Sequence, residues 1–246
     1  ISCSLVGSEM CIRDRYMITT VQQKTEEDFE LLPDPERIVN GLRDTGYNFN
    51  TAVADIVDNS IAANATKINI EVNMDPNMQV KVYFADNGCG MDLDGLKNAM
   101  KYGSKERIEK NSLGKFGLGL KTASTAFCKQ FSLISRNSPD SELRKVQWDL
   151  DYIANNGSWL LQFPVIDSDE EDMLNMVAEG SSGTLLVWEK IDRLMKNYKN
   201  FKNAQNGLNK ILEELRFHLS MVFQRYLDKN DSRAQNVEIT VIIYYE

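Results

Sequence analysis

Apolar positions recur at helical spacing near the start of the chain. Between Pro33 and Thr45, Ile38, Val39 and Leu42 fall on one face, with Pro33 and Pro35 early, where a helix tolerates proline. Val53, Ile56, Val57, Ser60 and Ile61 repeat the 3.6-residue period through "NFNTAVADIVDNSIAANA", with Asn50 or Thr51 as the expected cap. The pattern then changes to alternation. "TKINIEVNM" and "QVKVYFAD", separated by the turn residues "DPN", predict an antiparallel hairpin. A short helix is expected in "LDGLKNAMKYG", and "KFGLGLKTASTAFC" reads as a loop running into another. Strands are expected in "QFSLISR", "LRKVQWDLD", "SWLLQF" and "GTLLVWEK", with an acidic loop from Asp167 to Asp172. Leu208, Ile211, Leu212, Leu215, Leu219 and Phe223 predict a long amphipathic helix between about residues 199 and 227. The closing run "VEITVIIYYE" is apolar enough for a buried strand, yet nothing follows it to pair with. These elements predict a layered α+β domain.

Length and composition fit one large domain: 246 residues, 42% of them hydrophobic, are enough for a sizeable core. A net charge of -8 argues against a surface that holds nucleic acid or anionic lipid by charge alone. No apolar run approaches the roughly 20 residues that cross a bilayer, so a cytoplasmic protein with no membrane partner is expected. Cys3, Cys11, Cys89 and Cys128 form no CxxC pair, and the single histidine, His218, is far from them in sequence, which disfavours zinc and a disulfide framework. Residues 1–16 read as a non-native or disordered extension, residues 17–32 as an N-terminal arm, 33–234 as the main domain and 235–246 as the start of a truncated second domain.

Three segments carry candidate chemistry. Asp55 and Asn59 are one turn apart on the second helix, about 40° apart around its axis, and lie off its apolar stripe. A carboxylate there can orient or deprotonate water, and an amide oxygen can ligate Mg²⁺ held by phosphates; alone, the pair equally fits a solvated polar face. "DNGCGM" follows a predicted strand. Asp86 can accept a hydrogen bond from an exocyclic amine, Gly88 and Gly90 permit close backbone approach, and Met91 offers a soft contact to a flat ring; alone, it fits an ordinary turn. "GKFGLGLKTAS" sets Gly114, Gly117 and Gly119 before a helix, so that N–H groups can converge on an anion with Lys115 and Lys121 nearby. It matches neither GxxxxGK[ST] nor a dinucleotide fingerprint. Six basic side chains stand against two acidic ones between residues 101 and 121, which makes polyphosphate a better reading there than a solvated helix.

In this order, the three segments resemble the N, G1 and G2 boxes of the GHKL (gyrase, heat-shock chaperone, histidine kinase, mismatch-repair) ATPase superfamily, and "SSGTLLVWEK" resembles its Gly-Thr strand. The mismatch-repair, chaperone and MORC-like group is the nearest in pattern. The resemblance implies a Bergerat fold, a two-layer α/β sandwich with helices on one face of a mixed, mainly antiparallel sheet. It implies ATP and Mg²⁺ as ligands, with Asp55 polarising water and Asn59 holding the metal. Asp86 and Thr184 would read adenine beside Gly88, Gly90 and Met91. Gly114, Lys115, Phe116, Gly117, Leu118, Gly119, Leu120 and Lys121 would wrap the phosphates. A lid from Lys101 to Phe116 and an ATP-dependent homodimer are part of the same expectation, as is a C-terminal domain beyond the chain.

Two positions depart from the pattern. Aspartate stands at 55 where hydrolysing members usually carry glutamate and the kinases asparagine, which implies slow hydrolysis. Ala62 stands where many relatives carry an acid. Three alternatives follow: a nucleotide-gated interaction module with little turnover, a histidine kinase catalytic domain, and a protein-binding face without nucleotide. Position 55, being acidic, speaks against the kinase. Nucleic acid or a client protein as partner is not determined by these residues.

Overall fold

The computed structural model describes residues 34–44, 46–101 and 119–245. Helix α1 (Pro35–Arg43) starts at Asp34, whose side chain accepts the N–H groups of Glu36 and Arg37, with Pro35 in the first turn. Helix α2 (Phe49–Ala62) is capped by Asn48 through the Asn50 N–H, not by Asn50 or Thr51 as expected. The helix begins earlier because Phe49 is buried in the core, which draws the first turn inward. The hairpin of β1 (Lys67–Met74) and β2 (Val80–Asp86) closes over Asp75, which accepts from Gln79.

Next come α3 (Leu93–Met100), α4 (Gly119–Phe127), β3 (Cys128–Arg136), β4 (Arg144–Asp149) and a short α5 (Leu150–Asn156) that the strand pattern did not announce. "SWLLQF" is not a strand. It makes a single bridge, Gln147 to Gln162, because Pro164 removes a donor two residues on. The expected acidic loop is also a helix start: α6 (Ser168–Ala178) opens with a capping box in which Asp167 and Glu170 exchange side-chain and backbone bonds. Acidic residues in that first turn favourably face the positive end of the helix dipole. Strand β5 (Gly183–Ile191), α7 (Phe201–Val222), the single turn α8 (Gln224–Leu227) and β6 (Glu238–Tyr245) complete the described elements.

The sheet runs β4-β3-β5-β2-β1-β6, antiparallel except where β6 lies parallel to β1. The terminal run therefore finds a partner upstream, in register from Lys67 opposite Glu238 to Met74 opposite Tyr245. Alternation sends Ile68, Ile70, Val72, Phe84, Leu186 and Trp188 into the main core beneath α2, α4 and α7. Phe49, Phe84 and Phe127 surround Trp188, the Phe84 ring edge-on at 4.9 Å, and the indole N–H donates to Ser124. The opposite side chains, Ala85, Ile134, Leu185 and Val187, form a smaller core with Leu174, Val177 and Ala178 of α6. The fold is thus α+β with its main helical layer on one face and α6 over part of the other. Among the described residues no helix is long and apolar enough to cross a membrane.

Candidate functional site

The inner half of α2, the end of β2 and the start of β5 meet at one polar cluster. Its centre is Asp86, the last residue of β2, 7% exposed. Ser60 of α2 donates to one carboxyl oxygen at 2.7 Å, and the Gly88 N–H donates to the other at 2.9 Å. Burial pushes the Asp86 carboxyl up from its ordinary range, opposed by Ser60 and the backbones of Gly88 and Thr184. A carboxylate has about four lone-pair sites, so these donors leave acceptor capacity on Asp86.

The glycines of "DNGCGM" are required sterically. A Cβ on Gly90, at φ +62°, would lie 1.9 Å from the Arg136 carbonyl oxygen; one on Gly88 would lie 2.9 Å from Ala63. The turn is pinned to the end of α2 by the Cys89 N–H bond to the Ala63 carbonyl, and its side is closed by Ser182 donating to the Gly88 carbonyl. Thr184 pairs with Asp86 across the β2–β5 ladder. Its hydroxyl is 3.0 Å from that of Ser135, which also donates to the Gly183 carbonyl and accepts from the Met91 N–H.

Asn59 directly precedes Ser60 on α2, and Asp55 stands one turn before Asn59. Asn59 donates its amide N–H to the Asp55 carbonyl at 2.8 Å, which fixes the amide plane, and both side chains are half-buried. The Tyr47 hydroxyl donates to Asp55 Oδ2. Lys121 is placed differently from its expected role: it is 1% exposed at the α3–α4 junction, where Nζ donates to the Ala99 carbonyl at 2.7 Å, and burial lowers its ammonium to about 8. Gly119 and Leu120 are half-buried at the start of α4. Gly114, Lys115, Phe116, Gly117 and Leu118, and the expected lid apart from Lys101, lie outside the described residues.

The structure therefore brings together Asn59, Asp86, Gly88, Gly90, Met91 and Thr184, with Asp55 one turn along α2. Sequence reasoning missed Ser60, Tyr47 and Ser135. Ser60 left a signal: a hydroxyl inside an otherwise apolar stripe needs a partner. A groove of about 350 Å³ between α7, α8 and β6, lined by Arg216, Leu219, Ile239 and Val241 among others, contains none of the site residues.

Residues 47–184 match the family described as histidine kinase-, DNA gyrase B- and HSP90-like ATPase. The chain belongs to this ATPase family. The match runs from the tyrosine beside Asp55 to the threonine beside Asp86, so at family level the chain is an ATP-binding ATPase module. Its relatives include ATPase MORC2B of Mus musculus, 34% identical over 89 residues that make up 35% of this chain and 9% of that protein. Protein MICRORCHIDIA 1 of Arabidopsis thaliana is 27% identical over 139 residues, 54% of this chain and 22% of that protein. Matched segments are thus a small part of these relatives' lengths. A solved N-terminal domain of a DNA repair protein superposes with a TM-score of 0.49 at 21% identity, covering 86% of this chain and 53% of that one.

Proposed function

We propose that the chain binds Mg·ATP between α2 and the β2 and β5 strand ends and hydrolyses it slowly, gating dimerisation or a conformational change in a larger protein. The observation that carries this reading is the Asp86 cluster, in which Ser60, Gly88 and Thr184 tie three separate segments around one buried acceptor. Asp86 and Thr184 would take the adenine edge, Met91 its face, and Gly88 and Gly90 would let the backbone approach. Residues 114–120 would cradle the phosphates.

Asp55 acts as the base. Its carboxylate takes a proton from water as the water oxygen bonds the γ-phosphorus; the bridging oxygen–phosphorus bond breaks, and ADP leaves with the electron pair. The donor set suits Mg²⁺ rather than a protein-caged metal. Among the described residues no three His, Cys, Asp or Glu side chains converge, while Asn59 offers one oriented amide oxygen, as expected for an ion held chiefly by phosphates and water. Bound there, Mg²⁺ would neutralise phosphate charge. A cytoplasmic setting accords with ATP as the substrate.

The shorter reach of Asp55 favours a second reading, a nucleotide-gated module with little turnover. ATP turnover and binding by wild type and Asp55→Asn decide between them. The expected outcome is an affinity within about threefold and a loss of about a hundredfold in kcat, the scale of general-base catalysis. Equal turnover in the two proteins would remove Asp55 from the base role. Tight ATP binding without turnover in wild type would establish the second reading.

A further inference from the structure

The base assigned above carries a contact that the reading of its motif did not include. Tyr47 precedes the Asn48 cap of α2 and lies eight residues before Asp55, so the chain turns back at the start of the helix and brings the phenol over its second turn. The ring packs against the main core, and the hydroxyl donates to Asp55 Oδ2. Among the described residues no group bonds Oδ1. Among those residues the carboxylate is thus held at one oxygen and unbonded at the other.

A free aspartate rotates about its last bond, and its two oxygens exchange places. Aspartate also ends one carbon short of glutamate, so a base at this position has little slack to correct a misaligned oxygen, and displacements near 1 Å are costly in catalysis. A donor locked to one oxygen removes that rotation. Resting on the assignment of Asp55 as base, we propose that Tyr47 is a positioning residue that clamps Oδ2 of Asp55 and thereby presents Oδ1 to the attacking water. The clamp keeps its proton: burial, then the Asp55 hydrogen bond and charge, push the phenol up to about 12, so it stays a donor throughout the working range of an ATPase.

Tyr47→Phe in the 246-residue chain is the test, since it keeps the ring and its packing and removes only the hydroxyl. The expected result is about a tenfold loss in kcat, the scale of one hydrogen bond to a charged group, with ATP affinity within twofold and the melting temperature near that of wild type. In the Asp55→Asn background, the same change is expected to cost nothing further. A second readout needs no turnover: with ¹³Cζ-labelled tyrosine, the Tyr47 resonance should titrate at lower pH in Asp55→Asn than in wild type. Wild-type kcat in Tyr47→Phe would overturn the clamp, as would an equal loss in both backgrounds or an unmoved Tyr47 titration in Asp55→Asn. If Asp55→Asn itself turns over ATP at the wild-type rate, or wild type turns over none, the base assignment has failed and the clamp with it. If Asp55→Asn is slow and Tyr47→Phe is fast, only the clamp has failed.

Discussion

Asp86 illustrates how single residues here trade stability against recognition. Its carboxyl is buried, and among the described residues Ser60 supplies the one side-chain donor that offsets the cost. Ser60→Ala removes that donor without adding bulk. It should cost about 1–3 kcal/mol in chemical denaturation and weaken ATP binding, because the Asp86 carboxyl loses a group that holds it down against burial. Unchanged stability and affinity would show that water replaces the serine at no cost.

Lys121 makes stability depend on pH. Its folded-state ammonium is lowered to about 8 from an unfolded value of 10.5 by burial. Below about pH 8 both states are protonated and the burial cost is complete; above it the folded state loses its proton first. Stability should therefore rise from about pH 8 towards 10.5 relative to a Lys121→Met variant, measured as the difference in urea midpoint at pH 7.5 and 9.5. A difference that stays constant between those pH values would mean that the amine is hydrated.

At the scale of elements, α6 is fixed to the sheet by a pair that sequence periodicity does not reveal. Lys145 of β4 and Glu170 of α6 form an ion pair with both side chains 7% exposed, and Glu170 also closes the capping box on Asp167. Removing one partner leaves a buried charge, so Lys145→Met should cost about 3–5 kcal/mol by denaturant melts, and pairing it with Glu170→Leu should recover part of that loss. A double variant no more stable than Lys145→Met would place the cost in the lost cap instead. The same helix shows where reading the chain failed. Asp167 and Glu170 carry the D-x-x-E spacing of a helix start, but their charge had suggested a loop. By contrast α2 and the β1–β2 hairpin were legible, because their apolar periods bury one face against the core. "SWLLQF" has the alternation of a strand and no neighbour to complete its ladder. Pairing is decided by distant segments, which local pattern does not encode. The site was legible for a related reason: glycines forced by close backbone approach, as at Gly90, are local, whereas the Tyr47, Ser60 and Ser135 bonds cross between elements.

For the molecule as a whole, β6 matters most, because it joins the far end of the chain to the strand that follows α2. It shields one edge of β1 with a parallel ladder, and Arg216 of α7 donates to its Val241 carbonyl from above. Tyr245 packs edge-on to Phe201 and bonds Asn209, tying the strand to the long helix at a second level. Deleting residues 238–246 would therefore expose the backbone of β1 and the apolar side chains that Ile239, Val241 and Ile243 cover. An unprotected β1 edge, with Ile68, Ile70 and Val72 alternating along it, is a template for pairing with other chains. The shortened protein should melt at a lower temperature and shift to larger species in size-exclusion chromatography. The Asp86 cluster, built on β2 and β5 behind the exposed β1 edge, should still bind ATP in whatever monomer remains. If affinity disappears while the monomer persists, β6 supports the site through α2. If neither melting nor size changes, the parallel ladder contributes nothing to the integrity of the sheet.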